Sequence, residues 1–161
     1  MQLCVQEQNV MHMKLLINTD ASWAPFVVRV LLGVVVFPHG AQKLFGWFGG
    51  FGFQGTMELF ADAFGLPTVV GLLVILLESA GAAALVVGLG TRIVALGFAG
   101  LAIGIAWVSH VEHGFFMNWF GNQKGEGIEY FLLWGGMALA LVIAGGGKLS
   151  VDRWLLNKVK A

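Results

Sequence analysis

Four long apolar stretches, separated by short polar or glycine-rich segments, set the pattern of the chain. Each stretch is close to the roughly 20 residues that a helix needs to cross the hydrocarbon core of a bilayer. The pattern therefore predicts an all-α fold, an integral membrane bundle of four transmembrane helices. The predicted spans cover residues 22–37, 67–90, 91–110 and 128–147.

The segment between the first two spans is also patterned. Ser22 is a suitable cap for the first helix, and Pro38 is expected to kink or loosen that helix near its end. Residues 44–55 then alternate glycine with aromatic residues, which is typical of a loop at the membrane interface. Residues 56–65 are predicted to form a short amphipathic helix on the membrane surface. Its apolar side carries Met57, Phe60 and Phe64, and its polar side carries Glu58 and Asp62.

The composition agrees with a membrane protein and narrows its organisation. Apolar residues make up 58% of the 161 residues and charged residues 11%, with a mean hydropathy of +0.82, which argues against a water-soluble fold. The net charge is zero, so no nucleic-acid partner is expected. We expect a membrane domain at residues 22–150, between a polar tail at 1–21 and a basic cytoplasmic tail at 151–161. The first tail is either disordered or an extension upstream of a later start at Met11 or Met13, and the lone Cys4 excludes an internal disulfide.

Basic residues are distributed unevenly between the two ends of the predicted spans. If both termini are cytoplasmic, seven basic residues lie at cytoplasmic ends and two lie outside, in agreement with the positive-inside rule. We therefore expect a multi-pass protein of the bacterial inner membrane with both termini in the cytoplasm. The seven are Lys14, Arg29, Arg92, Lys148, Arg153, Lys158 and Lys160; the two are Lys43 and Lys124.

Glu78 is the most informative residue, because it lies near the middle of the second span. An ionised carboxylate without a partner would be costly at that depth, so a cation or a hydrogen-bond donor is expected close to it. Two interpretations stay open. Glu78 either carries a proton or binds a ligand, or it is a hydrogen-bonded structural lock between helices.

The first span places three more polar residues on one face. At about 100° per residue, Arg29, His39 and Lys43 fall within about 40° of their neighbours on that face, which is expected to point into the bundle. Arg29, near the helix end, is expected to extend its side chain to the inner lipid headgroups.

Closing the bundle would bring a polar cluster together at the outer ends of the first, third and fourth spans. A quinone site would need aromatic walls and protonatable donors, for which the candidates are His39, Lys43, Glu129, Trp107 and Trp119. A b-type haem would use His39 and His110 as axial ligands, and a metal would use His110, Glu112 and His113, although that spacing matches no strong zinc signature. The whole expected cluster comprises His39, Lys43, His110, Glu112, His113, Lys124, Glu126 and Glu129.

Small residues recur at helical spacing and predict close helix packing in lipid. One row on the second span is Ala80, Ala84 and Gly88, and another on the third span is Gly100 and Gly104. They support packing within one chain, and a homodimer face is an equally good use for one of them.

Four segments in order resemble the DoxX family of small membrane proteins: RVLLGVVVFPHGAQKLFG, ESAGAAALVVGLGTR, GFFMNWFGNQKGEGIEYFLL and GGGKLSVD. The resemblance extends from Arg29 to Asp152. The positions that match the family motifs are Arg29, His39, Gly40, Lys43, Glu78, Gly81, Arg92, Glu129 and Asp152. The resemblance implies a four-span inner-membrane protein, and some relatives look like subunits of a thiosulfate:quinone oxidoreductase or of complexes that handle thiol or oxidative stress.

The chain departs from the family at one place. A histidine often follows the Glu-Tyr pair of the fourth span in relatives, whereas this chain has Phe131. A ligand or proton that depends on that histidine would be lost here.

Three functional hypotheses follow. The first is a membrane subunit of a redox complex, quinone-linked or active in oxidative stress, in which a partner protein supplies the electrons. The second is a non-catalytic membrane scaffold, because the chain contains no complete catalytic constellation. The third is a small-solute transporter, which lacks an inverted repeat to support it.

Overall fold

The structure is a computed structural model that describes residues 17–19 and 21–160, with side chains to residue 158. Every regular element among these residues is helical, which confirms the predicted all-α class. Most of the predicted tail at residues 1–21 lies outside the described residues. The helices are α1 (Trp23–Phe45), α2 (Gly52–Phe64), α3 (Thr68–Val87), α4 (Thr91–His113), α5 (Glu129–Ala144) and α6 (Val151–Lys160).

Three of these helices, α1, α3 and α4, are long and apolar enough to cross a membrane, and α5 is a shorter apolar helix of 16 residues. At 1.5 Å per residue α5 is about 24 Å long, below the roughly 30 Å of a hydrocarbon core. It is shorter than the predicted 128–147 because the chain turns away at Gly145 and Gly147, where φ is +78° and +73°. The helices are those of a multi-pass membrane protein that lies in a lipid bilayer.

Helix α1 begins where the sequence predicts and ends later. The Ser22 side chain caps it by accepting from the Ala24 N–H at 3.2 Å. The helix then continues through Pro38 and ends at Phe45, beyond the predicted end of the span at Phe37. This continuation places Lys43 in the last turn of a helix rather than in a loop.

The two smaller helices, α2 and α6, also differ from the predicted organisation. Helix α2 begins at Gly52, four residues before the predicted start at 56, and packs on α1 and on the first half of α3, where Met57 and Phe60 lie over Gly71. Helix α6 forms most of the predicted tail at 151–161, and its Leu156 is buried.

The core lies between α1, α3, α4 and α5, with α4 packed most extensively on α5 and α1 on α3. Phe98 of α4 meets Trp134 of α5 edge to face, with ring centroids 5.8 Å apart. The other large buried side chains of this core are Leu32, Val36, Leu85 and Leu141.

Helices α1 and α3 touch backbone to backbone. A Cβ at Gly40 would overlap the backbone of Glu78 and Ser79, and one at Gly33 would lie 2.7 Å from the Ala82 carbonyl oxygen. The predicted row at Gly100 and Gly104 makes no such contact, since nothing lies within 4 Å of a Cβ at either position. The contact between α1 and α3 therefore uses glycines of the first helix, which were not among the predicted rows. Gly88 of the predicted row on the second span is closely packed, with Ser150 Cβ 2.5 Å from where its own Cβ would lie.

Helices α3 and α4 each contain one wider π turn, at Leu77–Gly81 and Ala106–His110. Such turns are single insertions in α-helices that recur at functional sites. The turn in α3 carries Glu78, and the Ser79 hydroxyl within it donates to the Ile75 carbonyl at 2.6 Å.

Candidate functional site

The carboxylate of Glu78 is paired with the ammonium group of Lys43. Lys43 Nζ lies 2.5 Å from Glu78 Oε2, and no other acid–base pair of side chains within 4.0 Å among residues 17–19 and 21–158 is buried to this degree. Glu78 is 2% exposed and Lys43 is 24% exposed, so the anion is enclosed while the cation reaches the edge of the fold. The sequence predicted that Glu78 needs a companion, and the companion is Lys43.

Three neighbouring elements fix this pair. Gly40 allows α1 to approach the π turn of α3 directly, which brings the next turn of α1 beside Glu78. The buried Thr56 hydroxyl on α2 donates to the Lys43 carbonyl at 3.3 Å, and Lys43 Nζ also donates to the His39 carbonyl at 3.4 Å. The ammonium group is therefore held between the end of α1 and the middle of α3.

A cavity of about 390 Å³ lies against this pair. Its volume is within the range of about 300–1,000 Å³ that is typical of small-molecule sites. The walls come from α2, α3 and α4, with Lys43 from the last turn of α1, and are almost entirely apolar apart from the ion pair and one serine. The lining residues include Lys43, Glu78, Phe60, Phe64, Val70, Val74, Gly100, Gly104 and Ser109.

The chemistry of the cavity is that of an apolar site with one charged wall. Lys43 has three N–H donors that can reach a carbonyl or an anionic oxygen, and Glu78 can accept or give a proton. Such a pair fits an amphiphilic ligand that carries a hydrogen-bonding oxygen at one end and an apolar body.

Arg29 lies far from this site, at the end of the bundle where α3 ends and α4 begins. It is fully buried, so the expectation that its side chain reaches the headgroups is wrong. Its guanidinium donates to the Leu85 carbonyl near the end of α3 at 3.0 Å. It also donates to two carbonyls in the turn between α5 and α6, those of Gly146 and Leu149, both at 2.8 Å. A cation at the C-terminal end of a helix is stabilised by the helix dipole, so Arg29 has a structural role at the closing end of α3.

Asp152 completes the same end of the bundle. Its carboxylate accepts from the N–H groups of Gly90 and Thr91 at 2.7 and 2.8 Å, which caps the start of α4. Arg92 donates to the Val142 carbonyl at 2.7 Å. Three of the residues that match the family motifs thus hold helix ends together.

The predicted outer cluster does not form as one group. His39 is exposed, so the expectation that it points into the bundle with Lys43 is wrong. Glu129 accepts from the Trp119 indole at 3.1 Å, and His110 Nδ1 lies 2.8 Å from the Glu126 carbonyl. These contacts form a second group in and beside the loop before α5, separate from the cavity.

The five residues predicted to form a quinone site therefore do not lie around one cavity. Of these five only Lys43 lines the cavity, and Trp107 instead lines a second, smaller apolar cavity of about 220 Å³ beside Phe131. His110 stacks on Phe131, with ring centroids 4.5 Å apart, while His39 faces away from the fold. The two imidazoles proposed as haem ligands have different surroundings.

The proposed metal ligands do not converge either. Glu112 and His113 lie 3.8 Å apart at the start of the loop, while His110 turns to the Glu126 carbonyl. In the part of the chain that the structure describes, no three His, Cys, Asp or Glu side chains come close enough to hold a metal ion.

Sequence reasoning missed most of the cavity wall. Phe60 and Phe64 were placed on the apolar side of a surface helix, and the structure shows that this side covers the cavity. The spacing of Gly100 and Gly104 could have indicated part of this wall, but it was interpreted as a row for close helix packing. Nothing in the sequence indicated the π turn that presents Glu78.

The chain is similar in sequence to one protein family and to two bacterial proteins. The family model described as DoxX matches residues 24–111, which include all of α1 but its first residue, all of α2 and α3, and most of α4. The inner membrane protein YqjF of Escherichia coli is 36% identical over 132 residues, which cover 82% of this chain and 91% of that protein. The putative oxidoreductase CatD of Bacillus subtilis is 29% identical over 143 residues, 89% of this chain and 95% of that protein. No solved structure matches the chain significantly.

Proposed function

Since the chain belongs to the DoxX family of inner-membrane proteins, we propose that it is the membrane subunit of a redox complex and that it binds a quinone beside Lys43 and Glu78. The observation that carries this proposal is the cavity of about 390 Å³ in which an otherwise apolar wall presents a buried ion pair. A lipid quinone has the matching chemistry, with carbonyl oxygens on a flat ring and an apolar tail. The name of the CatD relative, a putative oxidoreductase, supports the same class of function.

The proposal includes the arrangement of the chain in the membrane. Four helices, α1, α3, α4 and α5, cross the bilayer, and both termini are cytoplasmic. This orientation is supported by Arg29, Arg92 and Lys148, which lie at the same end of the bundle as Ser22 and the start of α6. The cavity then lies in the outer half of the membrane, on the side of α1 that carries Lys43.

In the proposed redox step the quinone takes up two electrons and two protons and becomes a quinol. The electrons come from a partner protein that oxidises a reduced thiol or sulfur compound. Lys43 donates a hydrogen bond to one carbonyl oxygen, and Glu78, in its protonated form, gives the first proton to that oxygen. The second proton comes from water at the outer membrane surface, and water there also reprotonates Glu78.

Binding of a short-tailed quinone to the purified chain in lipid nanodiscs tests the proposal. We expect saturable binding by the wild type and a loss of about tenfold or more in affinity for Lys43→Met and Glu78→Gln, because each removes a polar partner from a desolvated site. Lys124→Met and Glu58→Gln are matched controls, since both residues are exposed away from the cavity. Wild-type protein that binds no quinone, or site variants that bind as tightly as the controls, would contradict the proposal.

A non-catalytic scaffold is the second candidate, and one observation favours it. Each charge of the buried pair already has a partner in the protein, and the pair lies where α1 and α3 touch at Gly40. Under this alternative Lys43 and Glu78 only lock the two helices. Their substitution would then lower stability and recovery of a partner protein without any effect on quinone binding.

A further inference from the structure

Two glycines of the cavity wall have no structural need to be glycine. Gly100 and Gly104 lie inside α4, where a glycine costs up to about 1 kcal/mol relative to alanine. Neither has a positive φ, and nothing lies within 4 Å of a Cβ built at either position. Neither backbone conformation nor packing within the chain therefore explains them.

Another glycine of the same helix provides the contrast. A Cβ at Gly97 would meet the side chain of Leu77 at 3.1 Å, so Gly97 serves the contact between α4 and α3. Gly100 and Gly104 face the cavity instead. The helix thus changes from packing against a neighbour to bounding an open space within one turn.

The position of the two glycines relative to the ion pair suggests what the space holds. They are four residues apart, so they expose a bare strip of helix backbone about 6 Å long. The strip lines the same cavity as Glu78 and Lys43, and α2 contributes Phe60 and Phe64 to the lining. A strip without side chains accepts a flat ring more closely than a puckered one.

We infer that Gly100 and Gly104 determine specificity for a planar ring, whose carbonyl oxygen is held by Lys43. This inference rests on the proposed function, because it assigns the shape of the ligand that the cavity accepts. The ligand class is a quinone ring with an apolar tail, and a saturated ring with the same oxygens and tail binds more weakly.

The experiment compares two probes in nanodiscs: a short-tailed quinone and the saturated cyclohexanedione that carries the same tail. We expect the wild type to bind the planar probe more tightly. Gly100→Ala and Gly104→Ala should each weaken quinone binding by about tenfold or more, the effect of one misplaced carbon in an apolar pocket. Gly136→Ala is the matched control, because Gly136 lies inside α5, has nothing within 4 Å of its Cβ position and does not line the cavity.

The outcomes separate this inference from the proposed function. If the wild type binds the quinone and the two glycine variants bind it equally well, the inference fails while the proposed function stands. If the wild type binds both probes with equal affinity, planarity is not selected and the inference also fails. If the wild type binds no quinone, both fail together.

A homodimer contact through Gly100 and Gly104 is the competing use of the two glycines, and the same variants test it. The mass of the nanodisc-free complex in mild detergent is measured for wild type and both variants. A change from dimer to monomer on Gly100→Ala or Gly104→Ala would overturn the inference, and an unchanged mass with weakened quinone binding would support it. Unfolding midpoints no lower than that of the wild type show that the variants remain folded.

Discussion

Lys43 Nζ lies 2.5 Å from Glu78 Oε2 and joins the last turn of α1 to the π turn of α3. The two partners are unequal, because Glu78 is buried and Lys43 is about a quarter exposed. This difference decides how each responds to the loss of the other.

Lys43→Met should destabilise the protein more than Glu78→Gln. The first change leaves a carboxylate buried without a cation, and removal of one partner of a buried pair costs about 3–5 kcal/mol. The second leaves a lysine that can turn its ammonium group toward the membrane surface. Since Lys43 is partly exposed, we expect about 3 kcal/mol for Lys43→Met and about 1 kcal/mol for Glu78→Gln, measured by unfolding in mixed detergent micelles. Equal losses, or a larger loss for Glu78→Gln, would contradict this account of the pair.

Gly40→Ala should separate α1 from α3. The new Cβ would overlap the backbone of Glu78 and Ser79, which cannot turn aside as a side chain does. We expect a loss of about 1–3 kcal/mol, the usual cost of overpacking, and a weaker ion pair because Lys43 lies one turn further along α1. The unfolding midpoint provides the measurement, with Gly136→Ala as the control. A Gly40→Ala protein as stable as the control would show that the two backbones are not in contact.

Arg29→Lys should fail to replace arginine. Arg29 donates to five backbone carbonyls, those of Leu85, Val86, Gly146, Lys148 and Leu149, whereas a lysine has three donors at a single point. Since hydrogen bonds from a charged donor contribute about 1.5–3 kcal/mol each, the loss should be about 3 kcal/mol or more. Arg92→Lys is the comparison, because Arg92 makes two such bonds and should cost less. The prediction is wrong if the two substitutions lower the unfolding midpoint by the same amount.

Single cysteines in a Cys4→Ser background test the orientation of the helices. Asn122→Cys in the loop before α5 should react with a membrane-impermeant maleimide added to intact cells, while Lys158→Cys should react only after the cells are opened. The reason is the excess of basic residues at the end of the bundle that includes Arg29, Arg92 and α6. The reverse labelling pattern, or labelling of both cysteines in intact cells, would contradict the proposed topology.

The sequence was sufficient to predict an all-helical membrane protein and to predict that Glu78 has a charged or hydrogen-bonding partner, because both follow from local properties. Apolar length predicts a helix in lipid, and a carboxylate in the middle of an apolar run requires a partner. The Ser22 cap that precedes α1 and the short turn before Thr91 also follow from local signals.

The partner of Glu78 and the surroundings of Arg29 could not be predicted from the sequence, because both depend on tertiary packing. Helical spacing placed Arg29, His39 and Lys43 near one face, but the three side chains have different surroundings. Arg29 is buried at one end of α1, His39 is exposed, and the close approach of α1 to α3 at Gly40 pairs Lys43 with Glu78. The basic charge near a helix end indicated a headgroup contact for Arg29. The carbonyls at the ends of α3 and α5 bind it instead, because they come together only in the folded bundle.

The expected outer cluster also depended on tertiary packing. His110 at the end of α4 and Glu129 at the start of α5 contact Glu126 and Trp119 in the loop that joins the two helices, and not Lys43. The cavity is instead closed by α2, whose amphipathic pattern indicated only a membrane surface.

Photoaffinity labelling tests the central claim most directly. A quinone that carries a photoreactive azide on its ring is irradiated with the wild-type chain in native membranes, and the labelled peptides are identified by mass spectrometry. The account predicts labelling of α2 near Phe60 and Phe64 and of α4 between Gly100 and Ser109, lost when unlabelled quinone is in excess and in Lys43→Met. Labelling confined to the loop before α5, or labelling that excess quinone does not displace, would contradict it.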